Sequence, residues 1–205
     1  MTAIPVVGMD PSLRNWGIAH GFYYPEGKRL QLHEVAVIQP EIPEGKQVRK
    51  NTKDIERARQ LAFKAALAAR RAQAVFVEVP VGSQSARAMA SYGICVGVLG
   101  GLYAQDMPCH EITPTQVKLA VTGSKTASKA DIIEAMVARY PHLNWPYQNK
   151  KGVRSLVMGK AEHMADAIGA IEAGVHSTSF QQLVKLLHRN TSTMRIDNAS
   201  TSQAS

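Results

Sequence analysis

Residues 6–38, VVGMDPSLRNWGIAHGFYYPEGKRLQLHEVAVI, contain three strand-like segments in succession. Val6–Asp10 is a short apolar run that ends in a carboxylate, and it is followed by Trp16–Tyr24 and Arg29–Ile38. The second and third segments are joined by PEGK (25–28), whose proline and glycine favour a tight turn. The sequence therefore predicts three N-terminal strands, the last two paired as a hairpin.

After a polar, basic connection at 39–51, helical and strand-like segments alternate. Strands are predicted at 74–79 (AVFVEV) and 108–112, because both are short and the first is rich in β-branched residues. Helices are predicted from Thr52 as an N-cap to about Ala72, over about 85–105, from Thr113-Pro114, over 126–139 and over 161–175, with a short outer helix at 180–188. This order predicts an α/β fold with a mixed five-stranded sheet flanked by helices.

The length of 205 residues fits one domain of ordinary size. We assign it to residues 1–189. The stretch from 190 to 205 has too little apolar content to pack, and we expect it to be disordered. Residues 140–160 are predicted as a long loop rich in Lys, Arg and aromatic side chains.

The formal net charge of +8 makes a polyanion, and first of all a nucleic acid, the expected partner, although charge alone does not decide this. The two cysteines, Cys95 and Cys109, have no zinc-type spacing, and a reducing cytoplasm is the expected setting. No secretion signal is predicted at the start of the sequence. The apolar stretch Ala88–Ala104 is short for a membrane span and carries four glycines, so we interpret it as a buried helix.

Two carboxylates stand at the ends of predicted strands. Asp10 ends the first strand, and Glu78 lies near the end of an otherwise apolar one. An ionised carboxylate in such a place is unfavourable unless it is paired or bound to a cation. Each could simply meet a Lys or Arg at the sheet edge. If the two strands are parallel neighbours, however, the carboxylates converge, and a converging acidic cluster in a basic protein suggests a hard metal ion.

A third polar group lies on the helix that contains AEHMADAI (161–168). Asp166 follows His163 by three residues and Glu162 by four, so the three side chains flank one face. Taken alone, this spacing favours an ordinary solvated face over a functional site. Carboxylates suit Mg²⁺, and imidazole is an adequate ligand for Mn²⁺.

Taken in order, these segments resemble the RuvC-type Holliday-junction resolvases of the ribonuclease H superfamily. The resemblance spans about residues 4–176. It rests on GMDPSLRNWGIA (8–19), FVEVP (76–80), ITPTQVKLAVTG (112–123), SKAD (128–131) and HMADAI (163–168), of which the segment from 113 to 123 is the most specific.

The resemblance implies a ribonuclease H-like fold and a metal-dependent endonuclease that cuts branched DNA, resolving four-way junctions by paired phosphodiester hydrolysis. The family's four metal-binding positions fall on Asp10, Glu78, His163 and Asp166, where His163 is an accepted variant of Asp. Two lysines that assist catalysis and contact phosphate match Lys118 and Lys129. The implied cofactor is Mg²⁺ or Mn²⁺, two per active site, with no small-molecule cofactor. The expected DNA contacts come from Arg14, Lys118, Lys125, Lys129, Lys150, Lys151 and Arg154.

The sequence also departs from the family pattern. Ser12 stands where glycine is common, and the aromatic residue that often follows the catalytic glutamate is missing from residues 80–84. Trp145 and Tyr147 could supply the missing stacking on bases, which is worth ~1–3 kcal/mol per base. A structural tryptophan packed under its own loop explains Trp145 equally well.

Gly93, Gly97 and Gly101 recur at every fourth position of the glycine-rich helix. Each costs ~1 kcal/mol relative to alanine, so we expect another backbone to approach this stripe closely. The equivalent helix of the family lies at the dimer interface, which implies a twofold dimer with two active sites. Packing against the chain's own sheet is the alternative.

Three other functions fit parts of the pattern. Sugar kinases and actin-like ATPases also begin with a strand ending in Asp, but they need two such domains. A non-catalytic nucleic-acid-binding relative would not need all four candidate ligands. A flap nuclease or a nuclease of RNA–DNA hybrids is distinguished only by the segment from 113 to 123, which favours the resolvases.

Overall fold

The computed structural model describes residues 3–42, 49–79, 82 and 85–187. Its centre is a five-stranded sheet in the order β3-β2-β1-β4-β5. The strands are β1 (Ile4–Asp10), β2 (Trp16–Tyr24), β3 (Arg29–Ile38), β4 (Ala74–Glu78) and β5 (Cys109–Ile112). Strands β1, β2 and β3 pair antiparallel, and β4 runs parallel to both β1 and β5. The predicted mixed sheet is confirmed, and β2 and β3 have the bounds that the sequence predicted.

Five helices cover the two faces of this sheet: α1 (Lys50–Ala69), α2 (Ala86–Tyr103), α3 (Pro114–Thr122), α4 (Lys129–Arg139) and α5 (Met158–Gly174). Helices α3, α4 and α5 enclose one apolar core, which includes Phe76 and Ile171. A further helical segment, residues 178–187, adds Phe180 to this core. Helices α1 and α2 enclose a second core on the opposite face, around Met9 and Leu61.

Local sequence signals set most helix starts. Thr113 and Gln116 form a reciprocal capping box ahead of Pro114, and Gly123 ends α3 with a positive φ of 74°. Ser128 and Asp131 form a second capping box, so α4 begins there and not at residue 126. The prediction that Thr52 caps α1 is wrong: the N-cap is Arg49, which makes no side-chain capping bond. Helix α5 begins three residues earlier than predicted.

The predicted loop at 140–160 contains a β-hairpin made of β6 (Tyr147–Lys150) and β7 (Val153–Leu156). Lys151 and Gly152 form its two-residue turn with φ values of 50° and 79°. Two positive φ values in succession are typical of a type I′ turn, whose twist matches that of paired strands.

The glycine-rich segment forms helix α2. One side of this helix is exposed, whereas we expected a buried helix. Only Cys95, Val98, Leu99 and Leu102 of this helix are buried. Within the described ranges, no helix is long and apolar enough to cross a membrane. The predicted tail at 190–205 and most of residues 80–84 lie outside the described part of the chain.

Candidate active site

The carboxyl ends of strands β1 and β4 meet at one edge of the sheet. These strands are parallel neighbours, and Met9 pairs with Val77, so the residues that follow, Asp10 and Glu78, stand side by side. Asp10 is half-buried, as is Glu78. The sequence prediction that the two strand-end carboxylates converge is confirmed.

Helix α5 lies directly on this part of the sheet because two strand residues have no side chain. A Cβ built on Gly17 of β2 would lie 2.0 Å from the carbonyl oxygen of His163, and one on Gly8 of β1 would lie 1.9 Å from that of Ala167. No side chain fits into these gaps. The two glycines therefore set the height of α5 above the sheet, and with it the height of His163 and Asp166 beside the strand ends.

His163 and Asp10 form a direct hydrogen bond in which the imidazole Nδ1–H donates to Oδ2 of Asp10 at 2.5 Å. Burial lowers the pKa of His163, but this bond and the nearby negative charge of Asp10 raise it, and the net shift is upward. The contact with Asp10 therefore favours the protonated imidazole of His163.

Among the described residues, Glu78 and Asp166 have no hydrogen-bond partner comparable to His163, and they share one electrostatic environment. Burial is the largest effect on both, followed by repulsion from neighbouring carboxylates, Asp166 and Asp10 in the case of Glu78. Together these effects raise the pKa of Glu78 to about 9 and that of Asp166 to about 7. Oε2 of Glu78 is enclosed and has no hydrogen-bond partner among the described residues. Such a cluster is stable as carboxylates only if a positive charge joins it.

Two lysines supply positive charge near the cluster. Lys118 on α3 and Lys129 at the start of α4 both act to lower the pKa of Glu78. Lys129 also forms an ion pair with Glu162 of α5, which raises the pKa of the lysine. The structure therefore brings all six residues of the expected catalytic set to one region, and it adds Glu162 as a partner of Lys129.

The donor set fits a hard divalent cation. In the described part of the chain, no three His, Cys, Asp or Glu side chains stand in the arrangement of a metal site, and the bond between His163 and Asp10 joins two expected ligands to each other. The enclosed, unpartnered oxygen of Glu78 is nevertheless an acceptor that faces other carboxylates. Oxygen atoms of this kind are what Mg²⁺ and Mn²⁺ bind. Asp10, Glu78 and Asp166 would hold the cation, with His163 beside them.

The remaining basic residues of the expected DNA-binding set are exposed. Arg14 lies on the loop after β1, and Lys125 lies on the link between α3 and α4. Lys150, Lys151 and Arg154 belong to the β6–β7 hairpin. The structure keeps them on the surface without bringing them into the carboxylate cluster.

The two aromatic residues considered for base stacking have different environments. Trp145 is only 6% exposed, and its Nε1–H donates to the carbonyl oxygen of Tyr140 at 2.9 Å. It supports its own loop and is not available to DNA. Tyr147 is 43% exposed and lies under the guanidinium of Arg154, whose central carbon is 4.2 Å from the ring centroid.

The glycine stripe of α2 does not face the sheet. A Cβ on Gly93, Gly97 or Gly101 would meet nothing within 4 Å, so the reading in which this stripe packs on the chain's own sheet is wrong. Gly97 and Gly101 instead line an open groove of about 530 Å³ between α1 and α2. Its other lining residues are Ile55, Ala58, Arg59, Ala62, Ile94, Val98, Leu102 and Gln105.

Three features of the structure had not been predicted: the close approach at Gly8 and Gly17, the Lys129–Glu162 pair, and an ion-pair cluster around the buried Asp54 on the opposite face of the sheet. Asp54 of α1 accepts hydrogen bonds from Arg57 and from Arg87 of α2, both at 2.8 Å at their shortest. This cluster joins α1 to the start of α2, the element that follows the Glu78 strand. Strand glycines were the one sequence signal for the close approach.

No family model matches the sequence, and no curated protein matches it either. Solved structures do match its fold. The RuvC protein of T. thermophilus, solved in complex with a Holliday junction substrate, aligns with a TM-score of 0.56 and 20% identity over 81% of this chain and 92% of that one. A second structure, of Thermus thermophilus RuvC, gives a TM-score of 0.54 and 19% identity over 83% and 97% of the two chains. The fowlpox virus Holliday junction resolvase aligns at 0.47 with 15% identity, over 88% of this chain and 99% of the other. The chain therefore has the RuvC fold, as its resemblance implied.

Proposed function

We propose that this chain is a divalent-metal-dependent endonuclease that hydrolyses phosphodiester bonds in branched DNA and resolves four-way junctions by paired cuts. The observation that carries the proposal is the convergence of Asp10, Glu78 and Asp166 at one sheet edge, with two lysines beside them. The RuvC fold supports the same function, since one of the matched RuvC structures holds a Holliday junction substrate.

The carboxylates would hold Mg²⁺ or Mn²⁺, with two ions per active site. When bound, the ions supply an activated water and stabilise the leaving 3′ oxygen. The chain's own residues prepare the site for this charge. Glu78 and Asp166, whose pKa values are raised to about 9 and about 7, release protons when a cation binds. His163 orients Asp10 through its hydrogen bond.

The lysines would position the scissile phosphate. Lys118 is half-buried on α3, and Lys129 stands at the first position of α4 with most of its side chain exposed. Both oppose the negative charge of the carboxylates without neutralising it fully, because the pKa of Glu78 stays high. Arg14, Lys125 and the basic hairpin residues would extend this contact along the DNA backbone, in keeping with the net charge of +8.

Paired cutting requires two active sites, and the groove between α1 and α2 offers a surface for a twofold dimer. Ile55 is 70% exposed, and the glycine stripe leaves the backbone of α2 uncovered. A helix from a second copy could approach this backbone closely, since small residues allow short interhelical distances. Such a dimer would present two symmetry-related sites to two strands of a junction.

The test compares four substrates: a synthetic four-way junction, a flap, an RNA–DNA hybrid and a plain duplex, each with Mg²⁺ or Mn²⁺. We expect the junction to be cut in symmetric pairs. Asp10→Asn and Glu78→Gln should abolish cutting and leave junction binding intact or tighter, because less negative charge then faces the phosphates. Asp106→Asn and Glu134→Gln, which make the same changes at exposed positions, should cut normally.

Wild-type cutting by Asp10→Asn or Glu78→Gln in Mg²⁺ would refute the metal assignment. Equal cutting of flap, hybrid and junction would replace junction resolution with a broader structure-specific nuclease. If the protein bound the junction but cut no substrate with either Mg²⁺ or Mn²⁺, it would be a non-catalytic nucleic-acid-binding protein with this fold.

A further inference from the structure

The β6–β7 hairpin is a basic projection without any acidic residue. Between Glu134 and Glu162 the sequence contains no Asp or Glu, whereas Lys150, Lys151, Arg154 and Lys160 are all present. The four residues of β6 and the first two of β7 are exposed. An exposed hairpin with this charge is suited to a polyanion and not to an apolar protein surface.

The base of the hairpin is fixed to the body of the protein. Trp145 is buried just before it, and Leu156 at its end packs against the α3–α4–α5 core. The amide of Val157 donates to the carbonyl oxygen of Pro146 at 2.9 Å, which continues the pairing of the two strands beyond β6 and β7. The two-residue turn at Lys151 and Gly152 limits the freedom of the tip.

The hairpin also has a fixed position relative to the carboxylate cluster. Val157 is the N-cap of α5, so the hairpin leads into this helix without a linker. His163 follows six residues later, which corresponds to about 9 Å along the helix axis. The hairpin is therefore joined directly to the helix that contains His163 and Asp166, and this helix lies beside the strand ends that contain Asp10 and Glu78.

One face of the hairpin holds a preformed stack. Asn149 pairs with Arg154 and Tyr147 with Leu156, so Tyr147 and Arg154 project from the same face as diagonal neighbours. The guanidinium lies 4.2 Å from the centre of the tyrosine ring, a cation–π geometry that favours this arrangement of the two side chains. Because 43% of Tyr147 stays exposed, the ring keeps surface for another planar group.

We propose that this Tyr147–Arg154 stack binds an unpaired nucleobase of the DNA substrate, next to the strand that is cut, while Lys150 and Lys151 contact phosphates. A duplex hides the faces of its bases inside the helix, whereas single strands and frayed ends expose them. A branch point does the same once its arms separate and its innermost bases lose their stacking partners. The stack would therefore select branched over continuous DNA. This inference rests on the proposed function and names the feature of the substrate that the hairpin recognises.

Binding is measured with Ca²⁺ in place of Mg²⁺, on a four-way junction with 2-aminopurine at the branch point and on a plain duplex of equal length. Tyr147→Ala should weaken junction binding by roughly 5- to 150-fold, the range for loss of one stacked base, and duplex binding by less than about twofold. Tyr147→Phe, which keeps the ring, should bind the junction as the wild type does. In the wild-type complex the 2-aminopurine fluorescence should change, and Tyr147→Ala should remove that change.

The lysines provide the matched comparison. The double variant Lys150→Ala/Lys151→Ala should weaken binding of junction and duplex alike and reduce the slope of log affinity against log salt by about 2, as expected for two lost phosphate contacts. Equal weakening of both substrates by Tyr147→Ala, or no weakening, would overturn the proposal. Because binding is read without cutting, a chain that binds junctions but cleaves nothing would refute the nuclease proposal and leave this one standing.

Discussion

The two faces of the sheet use glycine in opposite ways. On the α5 face, a Cβ on Gly8 or Gly17 would collide with helix backbone at 1.9 or 2.0 Å. On the α1–α2 face, a Cβ on Gly93, Gly97 or Gly101 would touch nothing within 4 Å. The first set closes a contact inside the chain, and the second leaves a surface open. A glycine pattern in a sequence indicates close approach only when the partner backbone is known.

The same two faces treat buried carboxylates differently. On the α1–α2 face, Asp54 is paired with Arg87 and Arg57, and these hydrogen bonds lower its pKa. On the α5 face, burial and repulsion from Asp166 and Asp10 raise the pKa of Glu78 to about 9. One carboxylate is stabilised in its charged form by partners within the chain, and the environment of the other disfavours the charged form.

The largest expected effect is that of Gly8→Ala. The added methyl group would force the carbonyl oxygen of Ala167, and with it α5, away from the sheet. We expect the free energy of unfolding to fall by about 3 kcal/mol, measured by urea denaturation. Gly93→Ala is the matched control. Its methyl group meets nothing and favours the helix, so the free energy of unfolding should rise by up to ~1 kcal/mol. Equal effects of the two changes would contradict the distinction between the faces.

Asp54 and Glu78 differ in this way, so neutralising each should change the free energy of unfolding in opposite directions. The measurement is made at pH 8 with metal ions removed by a chelator. Asp54→Asn should lower the free energy of unfolding by about 2 kcal/mol, because it leaves two arginines without their buried partner. Glu78→Gln should instead raise it, by at least ~1 kcal/mol, because the carboxylate is unfavourable there.

The pH dependence follows from the same shifts. The pKa of Glu78 is raised from 4.5 to about 9, so the folded state binds more protons than the unfolded state between these values. Stability of the metal-free protein should therefore fall as pH rises across this range, and Glu78→Gln should flatten the fall. The lowered pKa of Asp54 has the opposite effect on stability. Its stabilising contribution is present above pH 3.8 and is lost as the pH falls further. Thermal melts from pH 4 to 9 provide the measurement, and a flat wild-type profile would argue against an uncompensated cluster.

A smaller effect on stability, but a clear one on assembly, is expected for Gly97→Leu. Gly97 lines the open groove, so the leucine has space within its own chain and the melting temperature should stay close to that of the wild type. If a second copy packs there, the same side chain separates the two backbones, and light scattering should show a monomer that no longer makes paired cuts. Ala138→Leu, on the exposed side of α4, should change neither property. A stable Gly97→Leu dimer would place the interface elsewhere.

The smallest expected effect concerns the ion pair of Lys129 and Glu162. The lysine side chain is 75% exposed, so Glu162→Gln should change the free energy of unfolding by less than ~1 kcal/mol. The released lysine can then meet a phosphate more readily, and junction binding should tighten by roughly two- to fivefold in a titration at fixed salt. Glu134→Gln makes the same charge change on the exposed side of α4 and is the control. If Glu162→Gln and Glu134→Gln tightened junction binding equally, the cause would be the change in net charge and not the release of Lys129.

Much of the sheet could be predicted because its sequence signals are local. Strands β2 and β3 are joined by a turn with clear residue preferences, and their ends were predicted correctly. The capping boxes at Thr113 and Ser128 fix helix starts in the same way. The start of α1 has no such signal, since Arg49 makes no side-chain cap, and its prediction failed. The β6–β7 hairpin was missed because both faces of β6 are exposed, which leaves no alternation to detect.

The candidate site was predicted at the level of residues but not of contacts. Parallel pairing of the two strands that contain Asp10 and Glu78 was enough to bring these residues together. The bond between His163 and Asp10 depends on the height of α5, which is set by two glycines whose role appears only in three dimensions. The ion pair of Glu162 with Lys129 joins two helices and has no signature in either.

The topology of the sheet has a consequence for the order in which the chain acquires its chemistry. Strand β1 forms its parallel pairing only with β4, and α5 must then dock before Asp166 reaches the other carboxylates. Long-range pairings of this kind are slow to form, because distant segments must find each other first. A ribosome-bound chain that still lacks residues 158–174 therefore contains two of the three carboxylates and no complete cluster. The carboxylate cluster, which is the centre of the proposed nuclease, is therefore complete only after the segment that forms α5 has been synthesised and has docked.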